Sequence, residues 1–148
     1  MSKKISKYRS EVIEKFINIE WLINAVISQY YFKKVIYSFV FDLLYDVNCT
    51  FALKRNVLQK IAPEFSKSKL EELNRLNNIR NFFAHCNQKT FKSITKPSPR
   101  EKGKVLNPKN IKKELDFEEL YQEFVKKEVE ITKALAELYK SFEGKIVF

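Results

Sequence analysis

From Met1 to Gln88 the chain contains no glycine and one proline, Pro63. Glycine and proline are the strongest interruptions of regular structure. A chain that almost lacks them over such a length is bound towards long helices joined by few turns, not a many-stranded sheet. The apolar spacing agrees. Val12, Phe16, Ile19, Ile23, Ile27 and Tyr30 form one stripe at helical period, widened by Ile13 and Val26, so a first helix is expected from about Ser6 to Tyr30. Glu20 borders that stripe. It reads as a surface residue at the stripe's edge, or else as the partner of a buried cation such as Arg80.

Tyr31 to Val47 is rich in β-branched and aromatic residues, yet Phe32, Ile36, Phe39, Leu43 and Val47 keep helical steps; the spacing predicts a second helix. Asp46-Val47-Asn48 reads as a turn and Thr50 as an N-cap. Phe51 to Ile61 is then a short helix with Leu53, Val57 and Ile61 inward and Lys54, Arg55 and Lys60 largely outward, ended by Pro63. Ser68 with Glu71 is a capping box, predicting a helix from Lys69 to about Asn87. The last helix is expected from about Asp116, with Phe117, Tyr121, Phe124, Glu128, Ile131, Leu135, Leu138 and Phe142 along a bundle seam. Glu128 breaks the seam: either the stripe rotates onto Val125 and Val129, or a carboxylate faces the core. Gly144 reads as a C-cap, with a short tail from Lys145 to Phe148.

At 148 residues the chain reads as one all-α domain spanning residues 1–148, large enough to bury roughly two-thirds of its unfolded surface. Cys49 and Cys86 are too few for a disulfide framework. With one histidine, no metal site or cofactor is expected. No apolar run approaches membrane-spanning length, and the basic start leads into an amphipathic stretch, not a signal sequence. A cytoplasmic protein with no membrane partner is the expectation.

The net charge of +10 is unevenly placed. Between Lys89 and Lys113 nine basic residues face one acid, Glu101, so this stretch carries +8 of it. It also holds three of the four prolines and Gly103. A long basic loop over about 88–113 is expected, a length usually functional or disordered. Lys89, Lys92, Lys96, Arg100, Lys102 and Lys104 are its candidate RNA-binding residues. The other reading is a solvated insertion.

Directly before that loop stands LNRLNNIRNFFAH, Leu73 to His85. Leu73, Leu76, Ile79, Phe82 and Phe83 give the helix its apolar face. Arg80, Asn81 and His85 are the candidate catalytic residues. Arginine offers a fixed cationic fork suited to phosphate, imidazole exchanges a proton near neutrality, and asparagine can orient either. The plain alternative is a packing histidine near a helix C-terminus. Arg80 and His85, five apart, sit about 140° round the helix from one another and do not stack directly, although the arginine is long enough to reach round.

RNFFAH, Arg80 to His85, resembles the R-x4-6-H motif of the HEPN superfamily, small helical proteins that include RNA-cleaving toxins and antiviral effectors. The resemblance covers roughly Ser6 to Phe142 as architecture and six residues as signature. It implies a HEPN-like bundle of four to five helices with a long basic loop before the last. It also implies a homodimer in which two motif helices line one cleft, and metal-independent endoribonuclease activity leaving 2′,3′-cyclic phosphate ends. In some HEPN toxins a tyrosine follows closely after the histidine and is the target of a nucleotidyltransferase antitoxin. Here Cys86 and Asn87 follow His85, so that antitoxin is not implied; a freestanding effector in abortive infection, or a subunit with another antitoxin or defence-system partner, fits as well. The rival expectation is a non-catalytic HEPN module that binds RNA or protein within a larger defence complex, and more distantly an assembly helper packing through the Phe117–Phe142 seam.

Overall fold

The computed structural model describes residues 3–63, 65, 67–85 and 117–143. Its elements are α1 (Lys3–Phe32), a π-helical segment (Phe39–Leu44), α2 (Phe51–Ile61), α3 (Lys67–His85) and α4 (Phe117–Ser141). The described residues form an all-α bundle with no strand. The basic loop, Cys86, the start signal at Asp116, Gly144 and the tail lie outside the described residues.

α1 is the central element, packing on α4, α3, α2 and the π-helical segment. Its stripe is buried as the spacing predicts: Val12, Phe16, Ile19, Ile23, Val26 and Ile27 are all within 2% of full burial. Leu73, Leu76, Ile79 and Phe83 of α3 and Phe124, Ile131 and Leu135 of α4 meet it in one core. Each such side chain contributes about 1.5–3 kcal/mol of transfer free energy. Along residues 23–29 α1 is buried all round, polar Asn24, Ser28 and Gln29 included.

The end of α1 departs from the expected pattern. No second helix starts at Tyr31, because α1 runs on to Phe32 and is stopped by Lys33, whose φ is 61°. A lysine there carries a steric penalty that glycine would avoid. Ser28 holds the turn in place, its hydroxyl donating to Lys34 O at 2.8 Å and accepting from Ile36 N at 3.0 Å. The chain then winds as a π-helix, with Tyr45 N donating to Val40 O, five residues back. Its buried residues are Val40 and Leu44, whereas Leu43 and Val47 of the expected stripe are 54% and 90% exposed. The turn at Asp46 stands, with Asn48 N donating to Asp46 Oδ1 at 2.8 Å. Thr50 caps α2 as expected, accepting from Leu53 N at 3.2 Å.

α2 is rotated from its expected face. Lys54, Leu58 and Ile61 point inward, and Leu53 is 48% exposed. α3 begins at Lys67, so Ser68 lies in its first turn and is not the cap. In α4 the seam is buried at Phe117, Phe124, Ile131, Leu135, Leu138 and Phe142. It does not rotate onto Val129, which is 60% exposed. Glu128 faces α1, with Lys15 Nζ 3.8 Å away and Thr132 Oγ1 donating to it at 3.2 Å. Arg75 of α3 and Glu123 of α4 close a two-pronged pair at 2.6 and 3.0 Å; that hydrogen-bonded guanidinium holds the Glu123 carboxyl below its usual range.

Candidate functional site

The motif end of α3 is fixed from two sides. Phe82 and Phe83 pack their rings against Phe117 at centroid distances of 5.5 and 6.0 Å. On the α1 side, Arg9 donates to the carbonyl of Ala84 at 3.1 Å, which satisfies one of the open carbonyls at the helix C-terminus. His85 is the last residue of the helix and is exposed. Asn81, one turn back, is half-buried.

Arg80 takes a different direction. Its guanidinium lies over the Phe16 ring of α1, 4.7 Å from the centroid. One terminal nitrogen donates to Asn77 Oδ1 at 2.8 Å and stands 3.8 Å from Glu20 Oε1. Its Nε is buried with no acceptor among the described residues. Of the two readings of Glu20, the structure selects the partner of Arg80 over the surface residue at the stripe's edge.

Glu20 also faces a second cation. Lys54 of α2 is 3% exposed, with its ammonium 4.0 Å from Glu20 Oε2 and 4.9 Å from the centre of the Tyr45 ring. The expectation that Lys54 lies outward is corrected: α2 packs through positions 54, 58 and 61, and the lysine stem is carried in with Leu58 and Ile61. One turn beyond Glu20, Asn24 is wholly buried; neither amide atom makes a well-aligned hydrogen bond among the described residues, and the amide lies near the Tyr45 hydroxyl. Burial pushes the Tyr45 hydroxyl up, and the Asn24 amide works against that rise. Two cations, one carboxylate and a buried amide thus meet where α1, α2 and α3 converge, leaving a local charge of one positive.

Of the sequence candidates, then, Arg80, Asn81 and His85 share the last turns of one helix but are not gathered at one point. Arg80 turns into the α1 contact, while His85 stands at the exposed helix end. Sequence reasoning missed Lys54 and Asn24. The signal for Lys54 was its spacing of four and seven to Leu58 and Ile61; Asn24 had none, since a polar residue inside an apolar stripe looks the same whether or not it is partnered. Lys89, Lys92, Lys96, Arg100, Lys102 and Lys104 lie outside the described residues. Among the described residues no group of three or more histidine, cysteine, aspartate or glutamate side chains is placed to hold a metal ion, and no helix is long and apolar enough to cross a membrane. Comparison with protein-family models, with curated proteins and with solved structures returns no match.

Proposed function

We propose that the chain is a HEPN-type endoribonuclease that acts as a homodimer without a metal, in the manner of toxin or antiviral effectors. The observation that carries the reading is the placement of the motif. Arg80, Asn81 and the exposed His85 occupy the last turns of α3 in an all-α bundle. The sequence that follows at once carries +8 of the net charge. Two copies meeting along this helix end would put two arginines and two histidines around one phosphodiester.

In the proposed reaction the 2′-hydroxyl loses its proton and its oxygen attacks the adjacent phosphorus. The bond to the 5′-oxygen breaks, and that oxygen takes up a proton. The products are a 2′,3′-cyclic phosphate and a 5′-hydroxyl, and DNA, lacking the nucleophile, is not a substrate. His85 serves as base or acid, a role worth roughly 10² to 10⁴ in rate. Arg80 stabilises charge gathering on the phosphate oxygens, and Asn81 orients the imidazole or the phosphate. The test is purified protein with total RNA beside His85→Ala and Arg80→Ala, read as fragments whose 3′ ends resist ligation until the cyclic phosphate is removed.

A second reading, a non-catalytic module that binds RNA or protein, is favoured by one observation. The Arg80 guanidinium is already engaged by Phe16, Asn77 and Glu20 of its own chain. An arginine committed in this way serves the packing of α3 on α1 without any phosphate. RNA binding without cleavage, together with loss of stability in Arg80→Ala, would select this reading.

A further inference from the structure

The described residues expose ten large apolar side chains, and eight of them fall between Tyr31 and Leu53. Three of that group, Tyr37, Phe41 and Tyr45, form an ordered array of four aromatic rings with the half-buried Trp21. Trp21 of α1 lies 6.4 Å from Tyr37 and 6.1 Å from Phe41, Tyr37 lies 6.2 Å from Phe41, and Phe41 lies 5.6 Å from Tyr45. From Tyr37 to Tyr45 the planes are nearly parallel, at 13° and 21°. Yet Tyr37, Phe41 and Tyr45 are 66%, 57% and 37% exposed. Rings that close a core are covered; these are held in register with their surfaces in solvent.

We propose that this array is a stacking platform for the bases of single-stranded nucleic acid, running towards Arg80. The inference rests on the reading of the chain as RNA-directed and adds to it a second surface away from the motif. Three observations favour nucleic acid as the occupant. Parallel exposed rings are the sequence-tolerant means by which proteins hold unpaired bases. The platform's inner end is cationic: Lys54 stands over Tyr45, Glu20 joins Lys54 to Arg80, and the three sum to one positive charge. Continuity with the motif is provided by α1, where Trp21 of the array directly follows Glu20, the partner of Arg80. Lys33 and Lys34 are exposed in the turn just before Tyr37. The acids of this region, Asp42 and Asp46, line a separate groove with Leu43, Leu53 and Val57.

The chain carries its own probe, since Trp21 is the one tryptophan and belongs to the array. The full-length protein is titrated at low salt with a twelve-residue oligodeoxyadenylate, which lacks the 2′-hydroxyl and cannot be consumed by the proposed reaction. The expected result is a saturable change in Trp21 emission. Tyr37→Ala with Phe41→Ala should weaken binding by about tenfold or more, the usual order for losing base stacks, with melting temperature and the salt slope of binding unchanged. Tyr37→Phe with Phe41→Tyr, which keeps both rings and the single tryptophan, should bind as wild type does. A flat titration, or equal affinity for wild type and the double variant, overturns the proposal. So does a double variant that binds oligonucleotide normally but falls from dimer to monomer, which makes the array a protein interface. The two readings fail separately. Oligonucleotide binding that depends on the rings, without RNA cleavage, removes the nuclease and leaves the platform; His85-dependent cleavage indifferent to the rings removes the platform and leaves the nuclease.

Discussion

Two regions of the bundle use the same kinds of residue to opposite effect. Where α1, α3 and α4 pack together, apolar residues at steps of three and four are buried almost to the last: Phe16, Ile19, Leu76, Ile79, Phe124 and Leu135 show 1% exposure or less. From Lys33 to Leu58 the sequence is equally rich in large apolar residues, but Val40, Leu44 and Leu58 go inside while Tyr37, Phe41, Leu43, Val47 and Leu53 face solvent. The difference lies in how much each segment is surrounded. α1 has neighbours on most sides, so nearly every apolar position finds a partner. Among the described residues the π-helical segment and α2 pack chiefly on α1. Their surplus apolar residues stay exposed among the described residues, and it is on this exposed surface that the base-stacking platform is proposed.

The contrast is sharpest in stability. Leu76→Ala or Phe124→Ala should cost about 3–5 kcal/mol by chemical denaturation, because each leaves a cavity among fully buried neighbours. Phe41→Ala, a truncation of similar size at the exposed array, should stay within about 0.5 kcal/mol. A large loss at Phe41 would mean that the exposed region is held by its own rings, and the comparison would break.

The polar cluster between the two regions should respond at a lower level. Glu20→Gln leaves Lys54 and Arg80 without their shared carboxylate and should destabilise by about 1–2 kcal/mol; the usual penalty for breaking a buried pair is reduced here because Glu20 is one-quarter exposed. Asn24→Leu should change stability by no more than about 1 kcal/mol in either direction, since it removes a buried amide with no well-aligned hydrogen bond, whose polar neighbour is the Tyr45 hydroxyl. If Asn24→Leu is instead strongly destabilising, the amide has partners of its own, such as ordered water.

Smallest is a pH effect within the closed region. Arg75 holds Glu123 below its ordinary carboxylate value of 4.5. The carboxylate is thus stabilising in the folded state. Its contribution is present above pH 4.5 and is lost as pH falls through the depressed value. Wild type should exceed Glu123→Gln by no more than about 1 kcal/mol at neutrality, the pair being partly exposed. The difference should close in acid, which urea melts at pH 7 and pH 3 would show.

What could be read from the residues follows the same division. The fold class, α1, α4 and the apolar face of α3 were legible because their stripes are long and each meets a core, and Thr50 and Asp46 because cap and turn chemistry are local. The segment after Tyr30 was misread since periodicity cannot tell a stripe that is buried from one that is exposed. Nor does anything before Lys33 announce a left-handed residue, where glycine or asparagine is the usual sign. In the candidate site, the helix that carries Arg80, Asn81 and His85 was legible, but not the exposure of His85 at its end. The Glu20–Arg80 contact was one of two open readings, and the sequence could not choose between them because the choice depends on packing that brings Phe16 and Glu20, some sixty residues away, beside Arg80.

That placement of Arg80 and His85 can be tested in one experiment on the two motif residues. Purified wild type, His85→Ala and Arg80→Ala are incubated with RNA in EDTA, with melting curves and dimer mass recorded in parallel. Wild type should cut, leaving cyclic-phosphate ends, and His85→Ala should be inactive yet melt and assemble as wild type does. Arg80→Ala should also be inactive, with at most a modest loss of stability from its contacts with Phe16 and Glu20. RNA cut equally fast by a folded His85→Ala protein, or left uncut by well-folded wild type that still binds it, would contradict the assignment of α3 as a catalytic helix.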